Sequence, residues 1–359
     1  MASARRRGER WTALYRDADG KQKSAGTFGT EEEATARAMV AELDARPRAE
    51  TEVYASTKRG KPTLAGYGPT AIAGARLEAT SRYSYRLLFG RHVAPALGST
   101  PLADLTPADI RAFARKLESF RMASKTAHLV LCTLKLIVRT AVQDGLMEKD
   151  ITVGVSVKQK GSKEKVIATP EQAKSIEAAF DPHYRLMVRT MFATGARFGE
   201  IIGIKAEDVC DRPGGGKVIK IRRTIAEYGG TVSVRPYGKT AGAMRDIPVS
   251  EDLASKIAAQ GEANPDGYVF RNHRGECIRR SNFSRLWQLA RDAAGVPGLV
   301  PHGARHSVAS WLANTPGMQL VLVRDMLGHS SIAQTSAYIH AMIGDGDDPR
   351  LAALERIAA

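Results

Sequence analysis

The sequence contains few cysteines and no long apolar run. Its three cysteines, Cys132, Cys210 and Cys277, are scattered and show no C-x-x-C spacing. This argues against a disulfide framework or a zinc site and is typical of a reducing compartment. No apolar stretch is long enough to span a bilayer, and the opening MASARRRGERW lacks the apolar segment of a signal peptide. We therefore expect a cytoplasmic protein without a membrane partner.

Acidic residues are also scarce relative to basic ones. Asp and Glu number 38 against 53 Lys and Arg, so the 359-residue chain has a formal net charge of +15. Such an excess favours a polyanionic partner, nucleic acid first, although a generally basic proteome would give the same balance. The hydrophobic content of 43% is that of a soluble globular protein, and the length predicts two or three domains.

The first fifty residues predict a small module of sheet and helix. Residues 11–16 (WTALYR) alternate like a strand, and residues 21–28 can return as a second strand. Thr30 with Glu33 forms a capping box, which opens a helix that runs to about Asp44. A basic two-stranded ribbon can enter a DNA groove, but an unrelated small sheet domain fits the same pattern.

A second region is helical and basic. Residues 48–69 are rich in Pro, Lys and Gly and predict a linker. Thr106-Pro107 opens one helix with Pro in its first turn, and Ser124 or Thr126 opens another, both with apolar residues at helical spacing. Interleaved Tyr and Arg residues here suit a DNA clamp, or merely a solvated face. A lysine-rich linker follows and can lie along phosphates.

The third region mixes helices and strands. Thr169-Pro170 opens a helix, a further helix ends near Gly195, and Arg197 stands just after it. Strands follow from about residue 217, the third of them at 245–249 (RDIPV), and Val269-Phe270 predicts another short strand. The glycine-rich tip before the third strand holds Lys239, which spacing alone would make a surface lysine.

The stretch from Pro301 to His340 carries the clearest chemical pattern. His302, Arg305 and His306 lie at i, i+3 and i+4 and share one face of a helix. Guanidinium groups suit phosphate oxygens, imidazoles move protons near neutral pH, and Tyr338 nearby could attack phosphorus. The two histidines could instead bind zinc, but the Glu of the H-E-x-x-H pattern is missing. A tyrosine near the C-terminus is, taken alone, more often a packing residue.

Five motifs together resemble one family. They are ATGARFGEI around Arg197, GKTAGAMRDIPV around Lys239, PHGARHS with His302 and Arg305, LGHSS with His329, and SAYIH with Tyr338. In order and spacing they are similar to the tyrosine recombinases, specifically to phage-type integrases with an N-terminal arm-binding domain. The similarity is closest from about Thr169 to His340. Two departures are Gly303, where the family more commonly has Asp, and Ala304, where it usually has a large apolar residue.

The resemblance implies an enzyme that cuts and rejoins DNA through a 3′-phosphotyrosyl intermediate, to integrate and excise a phage or mobile element. It implies that Tyr338 is the nucleophile, that His302 accepts the proton of Tyr338, and that Lys239 protonates the leaving 5′-oxygen. Neither a metal ion nor ATP is needed, because cations surround the phosphate and the phosphotyrosine ester conserves the bond energy.

The remaining roles implied by the resemblance concern the phosphate. Arg197 and Arg305 would bind its non-bridging oxygens and stabilise the charge of the transition state. His329 would donate a hydrogen bond to a phosphate oxygen. Glu200 is expected to brace the segment that bears Arg197. His306 is expected to contact the residues that bind the substrate rather than the substrate itself.

The resemblance also implies partners. These are double-stranded DNA at attachment sites, three further copies of the chain in a tetramer, and an excisionase or a DNA-bending host factor. The amphipathic tail at 349–359 would dock on a neighbouring protomer, or is simply frayed. Two other functions remain open at this point, a cellular recombinase of the same type and a non-catalytic DNA-binding regulator.

The predicted fold class is therefore multidomain and mainly α with small β-sheets. The resemblance implies an α+β catalytic domain of the tyrosine-recombinase type, a helical core-binding domain and a small N-terminal domain with an AP2-like three-stranded sheet and a helix. The predicted divisions are an arm-type DNA-binding domain at 1–47, a linker at 48–69, a helical SAM-like core-binding domain at 70–156, a linker at 157–166, the catalytic domain at 167–342 and a tail helix at 343–359.

Overall fold

The structure is a computed structural model, and its chain divides into two compact units, Met1–Ser162 and Lys163–Ala359. It is mainly helical with small antiparallel sheets, which confirms the predicted fold class. No helix within the described part of the chain is both long and apolar enough to cross a membrane. The residues that the structure describes are 3–16, 21–45, 61–119, 122–158, 161, 165–236, 244–329, 331–336 and 338.

The first unit begins with a three-stranded antiparallel sheet on which one helix packs. The sheet contains the two predicted strands and a further one at the N-terminus, in the order β1-β2-β3. The third strand confirms the three-stranded sheet that the resemblance implied. The residue pattern alone did not place β1, because three of its five residues are arginines and none is large and apolar. The backbone N–H of Glu33 donates to Thr30 Oγ1 at 3.2 Å, which confirms the predicted start of α1. The elements are β1 (Ser3–Arg7), β2 (Arg10–Arg16), β3 (Gln22–Phe28) and α1 (Glu31–Ala45).

The rest of the first unit is helical. The predicted starts near Thr106 and Ser124 are confirmed, and Gly145 follows α6 with a φ of +72°, the left-handed conformation expected at a helix end. One π-helical turn, Phe89–Val93, joins α3 to α4. The helices are α2 (Leu64–Gly74), α3 (Ala79–Leu88), α4 (Ala94–Leu97), α5 (Pro107–Ser119) and α6 (Ser124–Gln143).

Part of the predicted first linker is helical instead. Thr63 caps α2 by accepting the backbone N–H of Gly66 at 3.3 Å, and Leu64 and Tyr67 are buried in the helical core. Pro69 lies inside the helix, where it removes one backbone hydrogen bond. The Gly and Pro content favoured a linker, but burial of the apolar residues between them outweighs those weak local preferences. Residues 46–60 of the predicted linker lie outside the described residues.

The second unit combines two small sheets with eight helices among its described residues. One sheet has the order β4-β5-β8, and β6 and β7 form a separate hairpin whose turn is the predicted Gly229-Gly230 pair. The strands are β4 (Val209–Asp211), β5 (Lys217–Ile221), β6 (Arg223–Tyr228), β7 (Thr231–Pro236) and β8 (Arg245–Val249). The helices are α7 (Pro170–Ala179), α8 (Pro182–Thr194), α9 (Phe198–Ile201), α10 (Glu251–Glu262), α11 (Arg280–Ala293), α12 (Pro301–Ala313), α13 (Leu320–Leu327) and α14 (Ile332–Ser336).

The strand predicted at Val269-Phe270 was wrong. Both side chains are buried in the core, and Val269 makes one backbone hydrogen bond to the carbonyl of Ile204, but no ladder forms. Only an isolated bridge, Lys205 to Tyr268, lies beside them. Two adjacent apolar residues can be buried by a loop as well as by a strand, and periodicity cannot separate the two for so short a run.

Aromatic packing fixes the helix that bears the candidate site. The ring of Phe192 lies 5.9 Å from that of Trp287 and 6.0 Å from that of Trp311, centroid to centroid. Trp311 Nε1 donates to the carbonyl of Ala168 at 2.9 Å, and Ser307 Oγ accepts the N–H of Ala168 at 2.9 Å. Since Ser307 and Trp311 both lie on α12, this helix is held at two points along its length.

Candidate active site

The first turns of α12 carry the predicted cluster. His302, Arg305 and His306 share one face, and the rings of the two histidines lie 4.8 Å apart in a T-shaped contact. Gly303 gives room to the buried Leu299, because a Cβ at position 303 would approach Leu299 Cδ1 to 2.6 Å and the leucine side chain would have to shift. Glycine at this position, where the family more commonly has Asp, is therefore explained by the neighbouring Leu299 side chain. The helix face that bears His302, Arg305 and His306 is unchanged.

Arg305 is the most deeply buried cation of the cluster. Its side chain is 3% exposed, and Nη1 donates to the carbonyl of Gly195 at 3.1 Å. Nη2 is also buried, and no described residue offers it an acceptor. Desolvation and the like charges of Arg197 and Arg245 lower the pKa of Arg305 to about 10. A buried guanidinium with an unsatisfied N–H is costly for the fold, so this geometry fits a group held for an anionic ligand.

Gly195 makes that contact possible. It ends α8 with a φ of +60°, in the left-handed conformation that glycine adopts without strain. A Cβ at this position would approach Leu327 Cδ2 to 2.7 Å and Val308 Cγ1 to 3.1 Å. The glycine of the ATGAR motif is therefore fixed by conformation, by packing and by the hydrogen bond that its carbonyl accepts from Arg305.

Arg197 lies two residues beyond Gly195 and is braced by Glu200, as predicted. Glu200 accepts the backbone N–H of Arg197 at 2.8 Å and its Nη1 at 2.9 Å. The other amino nitrogen of Arg197, Nη2, donates to the carbonyl of Gly328 at 3.2 Å. The side chain of Arg197 remains 43% exposed, so part of the guanidinium is open to a ligand.

Glu200 is fully buried between two arginines. Burial alone would raise its pKa, but the hydrogen bonds and charge of Arg245, and then of Arg197, overcome desolvation and lower the pKa to about 2. Since this folded-state pKa is below that of an unfolded glutamate, the ionised carboxylate stabilises the fold above about pH 4.5. That contribution is lost as the pH falls towards 2.

We expect Glu200→Gln to lower the free energy of unfolding at pH 7 by about 3 kcal/mol, from the pKa shift alone. The difference from the wild type should shrink between about pH 4.5 and pH 2. Urea denaturation of both proteins across this range measures it. A difference that stayed constant with pH would contradict the ionised state assigned to Glu200.

Tyr338 lies between two of the histidines. Its side chain is 5% exposed, and its hydroxyl makes a short hydrogen bond with His306 Nδ1. The ring of His329 is nearly parallel to that of Tyr338 at 6.4 Å, and His329 Nδ1 contacts Thr335 Oγ1 at 2.9 Å. Lys165 Nζ lies 4.8 Å from the centroid of the Tyr338 ring. A phenol, two imidazoles and an ammonium group therefore share one small volume.

The titration behaviour of these groups follows from their crowding. Desolvation, together with the positive charges of Arg305 and Lys165 among others, lowers the pKa of His302, His306 and His329 to about 4. Burial raises the pKa of the Tyr338 phenol, and the charge of Arg305 offsets this only in part. At neutral pH the free protein therefore holds three neutral imidazoles, which can accept a proton, beside a neutral phenol.

An open pocket of about 500 Å³ lies beside this cluster. Arg197, Arg280 and His302 are among the residues that line it, and Arg280 also lies over the ring of Phe198 at 5.6 Å. Arg280 adds to the positive potential that His302 experiences. The pocket is thus bordered by cations next to the exposed part of Arg197, as a site for a phosphate chain requires.

The structure brings five of the six predicted site residues together. Arg305 interacts electrostatically with each of the other four, which are Arg197, His302, His329 and Tyr338. The sixth residue, Lys239, lies outside the described residues. Within the part of the chain that the structure describes, no group of three or more His, Cys, Asp or Glu side chains could hold a metal ion.

Sequence reasoning missed two contributors and placed a third differently. His306 was expected not to touch the reacting groups, but in this structure its Nδ1 shares a hydrogen bond with the Tyr338 hydroxyl. Lys165 was assigned only to a linker, and nothing in its spacing pointed to the Tyr338 ring. Arg245 had a usable signal, because it lies in strand register with the fully buried Ile247, so its side chain had to point inward.

A phenol held among imidazoles and guanidinium groups, in a strongly basic chain, defines a site for phosphoryl transfer from a nucleic-acid backbone to tyrosine. Comparison with known proteins agrees with this class. The model of the phage integrase family matches residues 166–343, and that of the phage integrase N-terminal SAM-like domain matches residues 73–117. The chain belongs to the phage integrase family of tyrosine recombinases, enzymes of site-specific recombination that cleave DNA with a tyrosine nucleophile.

Curated relatives bear the corresponding names. The integrase of Mycobacterium phage FRAT1 is 27% identical over 285 residues, which are 77% of this chain and 83% of the relative. A putative prophage phiRv2 integrase of Mycobacterium tuberculosis is 28% identical and aligns with 96% of this chain and 92% of its own length. A tyrosine recombinase XerC of Roseiflexus castenholzii is 26% identical and aligns with 66% of this chain and 74% of its own length.

Solved structures share the fold. The Tn1549 transposon integrase in complex with a circular intermediate DNA matches with a TM-score of 0.67 and 20% identity, over 82% of this chain and 99% of that one. A lambda integrase tetramer bound to a Holliday junction matches with a TM-score of 0.59 and 18% identity, over 96% of this chain and 98% of the other. At these identities the likeness establishes the fold.

Proposed function

We propose that this recombinase is the integrase of a phage or mobile element and that Tyr338 is its nucleophile. The observation that carries the proposal is the hydrogen bond between the Tyr338 hydroxyl and His306, beside the buried Arg305 with its unsatisfied Nη2. Tyrosine needs a base at neutral pH because its reference pKa is near 10. The neutral imidazoles around it supply that base.

The DNA phosphate would bind between the guanidinium groups of Arg305 and Arg197. Arg305 Nη2 and the exposed part of Arg197 would bind the non-bridging oxygens, and His329 would donate a hydrogen bond to one of them. His302 remains the base that the family resemblance assigns. His306 now joins it, since it already contacts the phenol and touches the His302 ring.

The leaving group also needs a proton. Lys239 would supply it to the 5′-oxygen, a role that rests on the motif GKTAGAMRDIPV and on the family resemblance. The 3′-phosphotyrosyl ester would keep the energy of the broken bond, so that a 5′-hydroxyl of the partner duplex can attack it without ATP. This chemistry requires no metal ion.

The alignment pattern supports an integrase over a cellular recombinase. The prophage integrase aligns with 96% of this chain, whereas the XerC relative aligns with 66%. An additional N-terminal module would give a phage-type enzyme a second contact with its attachment DNA. Because the substrate is host and element DNA, we expect the protein to act in the cytoplasm of its bacterial host.

We further propose that recombination requires four copies of the chain on two duplexes. The lambda integrase that shares the fold was solved as a tetramer on a Holliday junction. The tail at 349–359, which lies outside the described residues, would dock on a neighbouring protomer. An excisionase or a DNA-bending host factor would bias the direction, as the family resemblance implies.

The test uses a nicked suicide duplex that carries the attachment core, taken from the junctions of the integrated element. With the 5′ end of the cleaved strand labelled, the wild type should give a protein-linked band on a denaturing gel. The released fragment should accept phosphate from a kinase directly, because cleavage leaves a free 5′-hydroxyl. A label trapped through the 5′ side instead, or no trapped strand at all, would overturn the proposal.

The low pKa values of the imidazoles predict how DNA affinity depends on pH. A bound phosphate favours the imidazolium form, so binding should raise the pKa of His302 and His329 and take up protons. The affinity of Tyr338→Phe for a duplex, measured by fluorescence anisotropy at fixed salt, should therefore rise as the pH falls from 8 to about 5.5. His302→Gln with His329→Gln should flatten this profile, and an equally steep profile in the double variant would contradict the assignment.

A further inference from the structure

Arg245 is a buried arginine that the proposed mechanism does not use. It is the first residue of β8, and its side chain is 6% exposed. Nε donates to the carbonyl of Met326 at 2.7 Å, while Nη1 and Nη2 donate to the two carboxylate oxygens of Glu200 at 3.2 and 2.7 Å. With all three nitrogens engaged and the group out of solvent, Arg245 has no free face for a DNA phosphate.

The partners of Arg245 belong to two separate segments, and each segment bears a residue that we propose binds the DNA phosphate. Glu200 also holds the backbone N–H and Nη1 of Arg197. Met326 lies in the last turn of α13, which ends at Leu327 and is followed by Gly328 and His329. The carbonyl of Gly328 in turn accepts Arg197 Nη2 at 3.2 Å. A single guanidinium therefore joins β8, α9 and the end of α13.

We propose that Arg245 is a positioning residue, whose bonds to Glu200 and to the Met326 carbonyl fix Arg197 and His329 in the geometry that binds the phosphate. The proposal rests on the proposed function, since it assigns these two residues to the phosphate. It adds a residue that never touches DNA and yet sets the rate of cleavage.

The charges of the three side chains explain why an arginine is needed. Glu200 is fully buried and must be neutralised. Arg245 supplies two parallel N–H groups, the bidentate arrangement that matches a carboxylate. Arg197 then needs to give only its Nη1 to Glu200 and keeps 43% of its side chain exposed. Without Arg245, the carboxylate would draw Arg197 towards itself and away from the phosphate.

The test compares Arg245→Lys and Arg245→Ala with the wild type on the nicked suicide duplex. We expect covalent capture at saturating DNA to slow by on the order of 10-fold to 10²-fold in the lysine variant and by about 10² or more in the alanine variant. The Kd for the duplex should stay within about threefold, because Arg245 faces no phosphate. Millimolar guanidinium, well below denaturing concentrations, should restore part of the rate of Arg245→Ala and none of that of Arg245→Lys.

Arg223 provides a matched control in the same unit. Its side chain is 15% exposed and binds the fully buried Asp208 and the carbonyl of Gly203. We expect Arg223→Lys and Arg245→Lys to lower the melting temperature by similar amounts, since each disturbs a buried carboxylate. In Arg223→Lys, however, the cleavage rate per folded molecule should stay that of the wild type.

Two results would overturn the inference. One is an Arg245→Lys protein whose rate falls only in proportion to its folded fraction, as for Arg223→Lys. The other is a variant that loses duplex affinity but cleaves at the wild-type rate when saturated, which would make Arg245 a DNA contact. A wild type that formed no adduct would refute the proposed function itself, so the two failures are distinguishable.

Discussion

Replacing Tyr338 with phenylalanine is expected to abolish covalent capture of DNA. The phenylalanine ring fills the same space between His306 and His329, so the fold should be kept, but the attacking oxygen is gone. Loss of the nucleophile from a preorganised site typically lowers the rate by on the order of 10⁴-fold or more. Adduct formation on the nicked suicide duplex measures the rate, and fluorescence anisotropy should show unchanged affinity for the same DNA.

Tyr268→Phe is the matched control for that variant. Tyr268 is a partly buried tyrosine of the same unit, and its ring contacts Lys205 and Arg271 rather than the site. Its replacement should leave the yield of adduct unchanged. An adduct formed by Tyr338→Phe would refute the assignment, and mapping the linked peptide would then identify the true nucleophile.

The second large effect is expected for Arg305→Met. Removal of one preorganised charged donor costs on the order of 10² to 10³ in rate. The stability of the variant should not fall with its cleavage rate, because the Arg305 side chain is desolvated and lies near the like charges of Arg197 and Arg245. Replacing this cation by an apolar side chain of similar length removes both the desolvation cost and the repulsion. The variant should therefore melt at or above the temperature of the wild type while it hardly cleaves.

Arg291→Met is the control that separates the effect on stability from the effect on the cleavage rate. Arg291 also donates Nη1 to a backbone carbonyl, that of Leu299, at 3.0 Å, but it lies at the far end of α11 from the pocket. Its loss should lower stability slightly and leave the cleavage rate unchanged. If Arg305→Met melted several degrees below the wild type and cleaved at its rate, Arg305 would be a structural residue and the phosphate role would be lost.

The sequence was most informative where a motif and a local rule coincide. The helix starts at Pro107 and Pro170 were predictable because capping residues and Pro act within one turn. The shared face of His302 and Arg305 follows from helical spacing in the same way. These inferences need no knowledge of distant contacts.

Contacts between distant segments were beyond the sequence. The hydrogen bond between His306 and Tyr338 joins residues 32 positions apart, and that from Arg245 to the carbonyl of Met326 spans 81. Neither follows from periodicity, since each depends on how helices and strands pack. The start of α2 was missed for a related reason, because burial of Leu64 in the core outweighed the Gly and Pro signals around it.

The burial of Tyr338 has a consequence for how the protein behaves on long DNA. Only 5% of this side chain reaches solvent, and its hydroxyl is already engaged by His306. A strongly basic protein scans non-specific sequence through its cations and meets very many phosphodiesters before it reaches its target. With the proposed attacking oxygen sheltered, we expect those passing encounters to leave the DNA uncut. Cleavage would then be confined to the attachment site, where the proposed complex assembles.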